Sequence, residues 1–372
     1  THSGIQTSGA IFTNLEITDN YFLGHIYQTV DVGSDDQIAI FGAASGRVII
    51  SGNIIDKQGS TAYNQARAIS ITAGDGHDSE IIVSNNNIRN VITTIGASAR
   101  AAIEISGVNG SKTTTRVIVS DNVITNCNCP LYVGAYSSNL LLSGNNINGA
   151  VTISGFSQSG RGIAVNTGGL DAELIIAQNM ISLCDANGIE IVSSSEAVIL
   201  GNLIKSNTAK GIYIDSSNDC VVSGNLCTGN QDGIFISNSQ RLSLTGNTSV
   251  SNSRYGLKVQ GATISGTISG NVLSSNSTAD FHDSDTTTKD FVLFFYYGVG
   301  VQPNIRTITA ATDTLVATDQ DLIANYAGTV TLTFPSAATY KGKVITVKTI
   351  TANTVVSASS NVVPLAGGAA AT

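Results

Sequence analysis

The chain has 372 residues, of which 42% are hydrophobic and only 12% charged, and its formal net charge is −8. That balance leaves no basic face for nucleic acid, and no apolar run approaches the roughly 20 residues of a membrane-spanning helix. Gly, Ser, Asn and Thr are abundant, yet the apolar residues alternate regularly, which argues for a buried core and against disorder.

The sequence opens at Thr1 rather than Met, and a repeat-like run, NLEITDNYF from Asn14, follows almost at once. A preceding N-terminal part is therefore expected. Short aliphatic runs that close in asparagine then recur at Asn20, Asn53, Asn86, Asn122, Asn145, Asn179, Asn202, Asn225, Asn247 and Asn271. The pattern is clearest where copies open on Gly188, Gly211, Gly233 and Gly256, 23, 22 and 23 residues apart. A fixed period in this range marks a solenoid. The unit is too short for a helix pair, and its branched residues alternate with a period of two, as in strands. A right-handed parallel β-helix of about ten coils is expected, about 45–50 Å long at about 4.8 Å per rung. The recurring asparagine is expected to form an internal amide ladder at a tight turn.

The intervals between the asparagines are 33, 33, 36, 23 and 34 residues up to Asn179, then 23, 23, 22 and 24. Extra residues cannot enter a stack, so they emerge as loops, often on a binding face. Insertions fall around 23–36, 57–66, 73–80, 91–100, 108–116, 150–161 and 166–173, and function is expected there, with the even half as scaffold. The β-helix is assigned to 1–280 and 281–303 to a polar connector. Residues 304–372 are assigned to a small antiparallel β-sandwich-like domain. The aromatic run FVLFFYY from Phe291 is expected to be buried against another subunit. The five cysteines, Cys127, Cys129, Cys184, Cys220 and Cys227, read as free buried thiols without zinc spacing.

Helix, connector and terminal β domain together resemble bacteriophage tailspikes, especially the capsule depolymerases built on trimeric right-handed β-helices. Residues 317–320 (ATDQ) and 334–348 (FPSAATYKGKVITVK) look like a C-terminal module found on many such spikes. The resemblance implies that 1–280 is the glycan-binding and catalytic part and that 304–372 trimerises, giving a homotrimer on a virion tail, attached through the missing N-terminal part. It would cleave a bacterial surface polysaccharide, capsule or lipopolysaccharide, for host recognition and entry. Pectate lyases, pectinases and adhesins share the generic repeat. No pectinase motif (Asn-Thr-Asp with Gly-His) is present, so catalytic residues must come from position.

In the GIxI runs the middle residue points outward. Aligning the coils gives an outward column of Ala39, Ser70, Glu104, Tyr132, Ala164, Glu190, Tyr213, Phe235 and Lys258. A solvated sheet face would look similar, but carboxylates beside aromatics are what acid–base work on a sugar chain needs. Glu104 is the leading acid/base candidate, with Asp75, Asp78 or Glu80 from the loop TAGDGHDSE as partner, since glycosidases use two carboxylates about 5–10 Å apart. Glu190, three coils on and about 14 Å away, would serve a second subsite or a centre with Asp171, Glu173 or Asp215. Arg67, His77, Arg100, Tyr132, Arg161 and Tyr213 are the substrate-binding candidates. No metal or cofactor is expected, because GDGHD lacks the full calcium-loop spacing. Two alternatives stand beside hydrolysis: a lyase using His77 or Tyr132 with Arg100, and a non-catalytic glycan-binding adhesin.

Overall fold

The computed structural model describes residues 5–8, 14–23, 35–42, 46–57, 66–73, 80–92, 101–107, 116–134, 139–153, 157–168, 173–261, 265–284, 290–294, 305–315, 319, 321–334, 345–350 and 354–357. The chain is all-β. It divides into one unit over Thr1–Gly298 and another over Val299–Thr372.

The first unit is a right-handed parallel β-helix. Each coil contributes one strand to each of three sheets, of 11, 11 and 10 strands. One coil runs Asp35–Gly42, Arg47–Ser51, Ile54–Asp56, and the next begins at Ala66–Ala73. Inward residues such as Ile38, Ile40, Val48, Ile50 and Ile55 stack with their counterparts into one continuous core. The solenoid also takes in Ala279–Asp283 and Asp290–Phe294, which pair with Tyr255–Gln260 and Ser265–Ser269. The stretch expected to be a connector therefore supplies two strands of an eleventh coil. Polar composition hid the first, ADFHD, and the second, DFVLF, opens the aromatic run from Phe291.

The corner between the second and third sheets explains the asparagines. The residue before each ladder asparagine takes a left-handed φ: Asp19, Asn85, Asp121 and Gln178 near 56°, and Gly52, Gly144, Gly201, Gly224, Gly246 and Gly270 at 61–68°. Left-handed backbone favours Gly, Asn and Asp, so this residue absorbs the turn and the asparagine itself is free to point inward. All ten asparagines are linked. Asn145 Nδ2, for example, donates to Asn179 Oδ1 at 2.9 Å, and Asn179 Nδ2 to Asn202 Oδ1 at 2.9 Å. A second ladder joins Asn207, Asn230, Asn252 and Asn276, and a hydroxyl ladder joins Thr167, Ser194, Ser217 and Ser239. The opening glycines answer to close approach: a Cβ on Gly211 would lie 2.5 Å from the Gly233 carbonyl oxygen of the next coil. The five thiols are buried and free.

An apolar row also runs along the outside of the second sheet, and a row broken by Asn87, Asn146 and Thr248 along the third. In successive register on the second sheet stand Ile49, Ile82, Ile118, Leu141, Ile175, Val198 and Val221. On the third sheet Tyr21, Ile54, Val123, Met180, Leu226 and Val272 are 37–56% exposed.

The second unit departs from the antiparallel expectation. Ile305–Ile308, Asp321–Ala324 and Thr346–Thr349 form one parallel sheet, and Thr312–Thr314, Val330–Thr333 and Val355–Ser357 a second. Strands alternate between the two sheets, so each returns to its own sheet one turn later and must run parallel. Alternation and turn signals are the same for both arrangements, which is why the sequence did not separate them. Ile308, Leu315, Leu322, Ala324, Val330 and Leu332 are its core. Arg306 is held by buried Asp319 at 2.8 Å and by Asp313 at 2.5 Å.

Candidate functional site

The outward column of the first sheet forms in the register expected from the sequence. Ala39, Ser70, Glu104, Tyr132, Ala164, Glu190, Tyr213, Phe235 and Lys258 are cross-coil neighbours in that order, and His282 extends the row. Three residues upstream on the same strands lies a second row, in which Asp36 adjoins Arg67, and Lys210, Asp232 and Tyr255 follow one another. The two rows engage diagonally, one coil to the next.

Arg67 reaches Glu104 with two bonds, Nε to Oε2 at 2.8 Å and Nη2 to Oε1 at 3.1 Å. Both side chains are nearly enclosed, at 10% and 7% exposure. With both oxygens of Glu104 engaged, the pair has the geometry of a structural clamp. Its expected partners are not beside it among the described residues. Glu80 lies on the second sheet, where Arg47 and Arg116 of the adjoining coils hold it at 3.2 and 3.4 Å. Asp75, His77, Asp78, Arg100 and Asp171 lie outside the described residues. Tyr132 is half-buried against Ala101, Cys129 and Ala164.

Glu190 is arranged differently. Arg161 Nε and Asn187 Nδ2 both reach its Oε2 at 2.5 Å, and among the described residues Oε1 receives no hydrogen bond. The next coil places Tyr213 beside Glu190 and Asp215 beside Val192. Asp215 is two residues beyond Tyr213 and so on the same outer face. A diagonal of this kind separates Cα atoms by about 8 Å, close enough for two carboxylates to flank one glycosidic bond. Burial first, then Asp215 and Glu190, push the Tyr213 hydroxyl above the usual phenol range, so it stays protonated and can donate. Glu173, at the edge of the second sheet, is exposed and takes no place in this group.

The coils beyond Glu190 carry a band of rings and cations that the loop-based reading had assigned to scaffold. Tyr213 and Phe235 rings are 5.3 Å apart at 50°, and Tyr255 stacks on His282 at 4.4 Å and 7°. The alternation that turns Tyr213 outward turns these residues outward too, although Phe235 is buried beneath its neighbours.

Residues 156–293 match the family described as periplasmic copper-binding protein (NosD), fewer than half of the 372 residues. Among the described residues no three His, Cys, Asp or Glu side chains gather as a metal site. No curated protein matches the chain. It is similar to tailspike protein 2 of Escherichia coli O157:H7 bacteriophage CAB120, with 15% identity over 84% of this chain and 39% of that one and a TM-score of 0.45. It is also similar to the periplasmic alginate epimerase AlgG, at 14% identity over 93% and 85% with TM-score 0.42. A third likeness is to the A-module of the mannuronan C-5 epimerase AlgE4 of Azotobacter vinelandii, at 12% over 72% and 90% with TM-score 0.41.

Proposed function

We propose that this chain is the glycan-engaging β-helix of a tailspike-type depolymerase that hydrolyses a bacterial surface polysaccharide, capsule or lipopolysaccharide, along the outer face of the first sheet. The observation that carries this is the Glu190 group: a carboxylate with one uncommitted oxygen, a protonated phenol and a second carboxylate on adjacent rungs of a rigid sheet. In hydrolysis one carboxyl protonates the leaving oxygen. The other activates water or attacks the ring carbon. Glu190 and Asp215 fill these roles, Tyr213 donates to the sugar, and Arg161 orients Glu190. The test is to incubate the protein with a panel of bacterial capsules and count new reducing ends. Glu190→Gln and Asp215→Asn, each folded, are expected to lose activity by about 10²-fold or more. Wild-type rates from either would remove that residue from the assignment. A product with a new ultraviolet-absorbing double bond would mean elimination, and binding without new ends would mean an adhesin.

The same reading takes the protein as a homotrimer on a virion tail. What supports self-association is the aliphatic outer stripe of the second sheet beside the apolar row of the third. At about 4.8 Å per coil the stripe is about 30 Å long, and the two rows together offer an area of the order of the 800 Å² per partner found in stable interfaces. Arg47, Glu80 and Arg116 border it as a charged rim.

A further inference from the structure

Two lysines stand over aromatic rings in the coils after Glu190. Lys210 Nζ lies 4.9 Å from the centre of the Tyr213 ring and 5.6 Å from that of Phe235. Lys258 Nζ approaches the same Phe235 ring at 4.5 Å and Tyr255 at 5.7 Å. Arg254 lies 5.1 Å from the Tyr255 ring, which brings three cations to one face. Between the lysines, Asp232 is fully buried and already bonded to Arg254, Nε to Oδ1 at 2.7 Å; Glu190 and Asp215 lie at the Tyr213 end, where Arg161 and Asn238 engage them. Among the described residues neither lysine forms an ion pair. Burial, then Arg254 and Lys210, depress the Lys258 ammonium below its usual range, and Asp232 only partly offsets them. On a chain of net charge −8 this gathers three cations around Phe235 and Tyr255 with one carboxylate, Asp232, already paired between them.

Rings and ammonium groups side by side select a particular ligand. Tyr213 is half-buried and offers a ring of the kind that takes the apolar side of a pyranose, while one face of Tyr255 is covered by His282. Ammonium groups without a carboxylate acceptor are donors for an anionic oxygen. We propose that the face over Tyr213, Phe235 and Tyr255 is a subsite for a carboxylate-bearing sugar, with Lys210 and Lys258 receiving the carboxylate. This rests on the glycan reading above and adds to it that the polysaccharide is acidic.

The experiment is calorimetric titration of the full chain with trigalacturonate, its carboxyl-reduced counterpart and inorganic phosphate. Trigalacturonate is expected to bind at about millimolar dissociation constant or tighter, and the reduced trisaccharide about tenfold more weakly or worse. A folded Lys210→Gln/Lys258→Gln variant is expected to lose the same factor. Equal binding of the two trisaccharides, an undiminished double variant, or no binding of trigalacturonate overturns the subsite. Phosphate bound as tightly as trigalacturonate overturns the sugar class. If a neutral capsule is cleaved while uronates are ignored, this inference falls and the glycan reading stands. If no polysaccharide of either kind is bound, the glycan reading falls with it.

Discussion

Truncating one rung of the asparagine ladder, Asn179→Ala, tests the account of what holds the coils in register. Asn179 Nδ2 donates to Asn202 Oδ1 and to the Leu142 carbonyl, both at 2.9 Å. Its Oδ1 accepts from the backbone N and the Nδ2 of Asn145 at 3.0 and 2.9 Å. Removing the amide leaves two donor hydrogens of Asn145 unmatched in an interior where Asn145 and Asn179 are 0% and 1% exposed. At about 1–3 kcal/mol for each stranded donor, the loss is about 2–6 kcal/mol. Asn20 supplies the control. It is exposed, its amide donates to Asn53 and Thr18 at the ladder's end, and removing it strands no donor. Asn20→Ala should cost less than about 1 kcal/mol. Urea midpoints by circular dichroism measure both, and hydrogen exchange at the Asn145 amide reports the local opening expected of a stacked repeat. An Asn179→Ala loss no larger than that of Asn20→Ala would refute the ladder as a source of stability.

Further outcomes follow from other parts of the molecule. Ile118→Lys, on the outer stripe of the second sheet, is expected to convert an oligomer to monomers in sedimentation while the fold remains; an oligomer of unchanged mass would discard that face. Burial pushes the thiols of Cys127 and Cys184 up to about 12 and of Cys220 to about 11, so a chromogenic thiol reagent at pH 8 should label no cysteine in the native protein and five after denaturation. Early labelling would contradict their placement. The hydrogen bond from Arg241 holds the Asp219 carboxyl below its usual range. A carboxylate lowered on folding contributes stability above its unfolded pKa and loses it as pH falls through the folded one. Asp219→Asn should therefore flatten the acid limb of stability below about pH 4, and identical limbs would count against the pair.

Much of the solenoid was legible because its physics is periodic. Strand alternation sets which residues share a face, and a constant coil length sets which stack, so the outward row from Ala39 to Lys258 and the ladder from Asn20 to Asn271 could be written from intervals alone. The aliphatic outer stripe was legible too, though unread: VII, IIV, VIV, LLL and LII are unbroken apolar runs, the pattern of strands covered on both sides.

What the sequence by itself determined, then, was the period, the inward and outward sets and the rows they make. Tertiary structure decided the rest, since the deciding contacts are diagonal between coils or depend on strand direction. Arg67 meets Glu104 and Arg161 meets Glu190 across residues 37 and 29 apart, separations with no common value to read. Both glutamates occupy the same row, and only their neighbours distinguish a carboxylate held at both oxygens from one with an oxygen left over. Parallel pairing in 305–357 likewise appears only once alternate strands are seen returning to their own sheet.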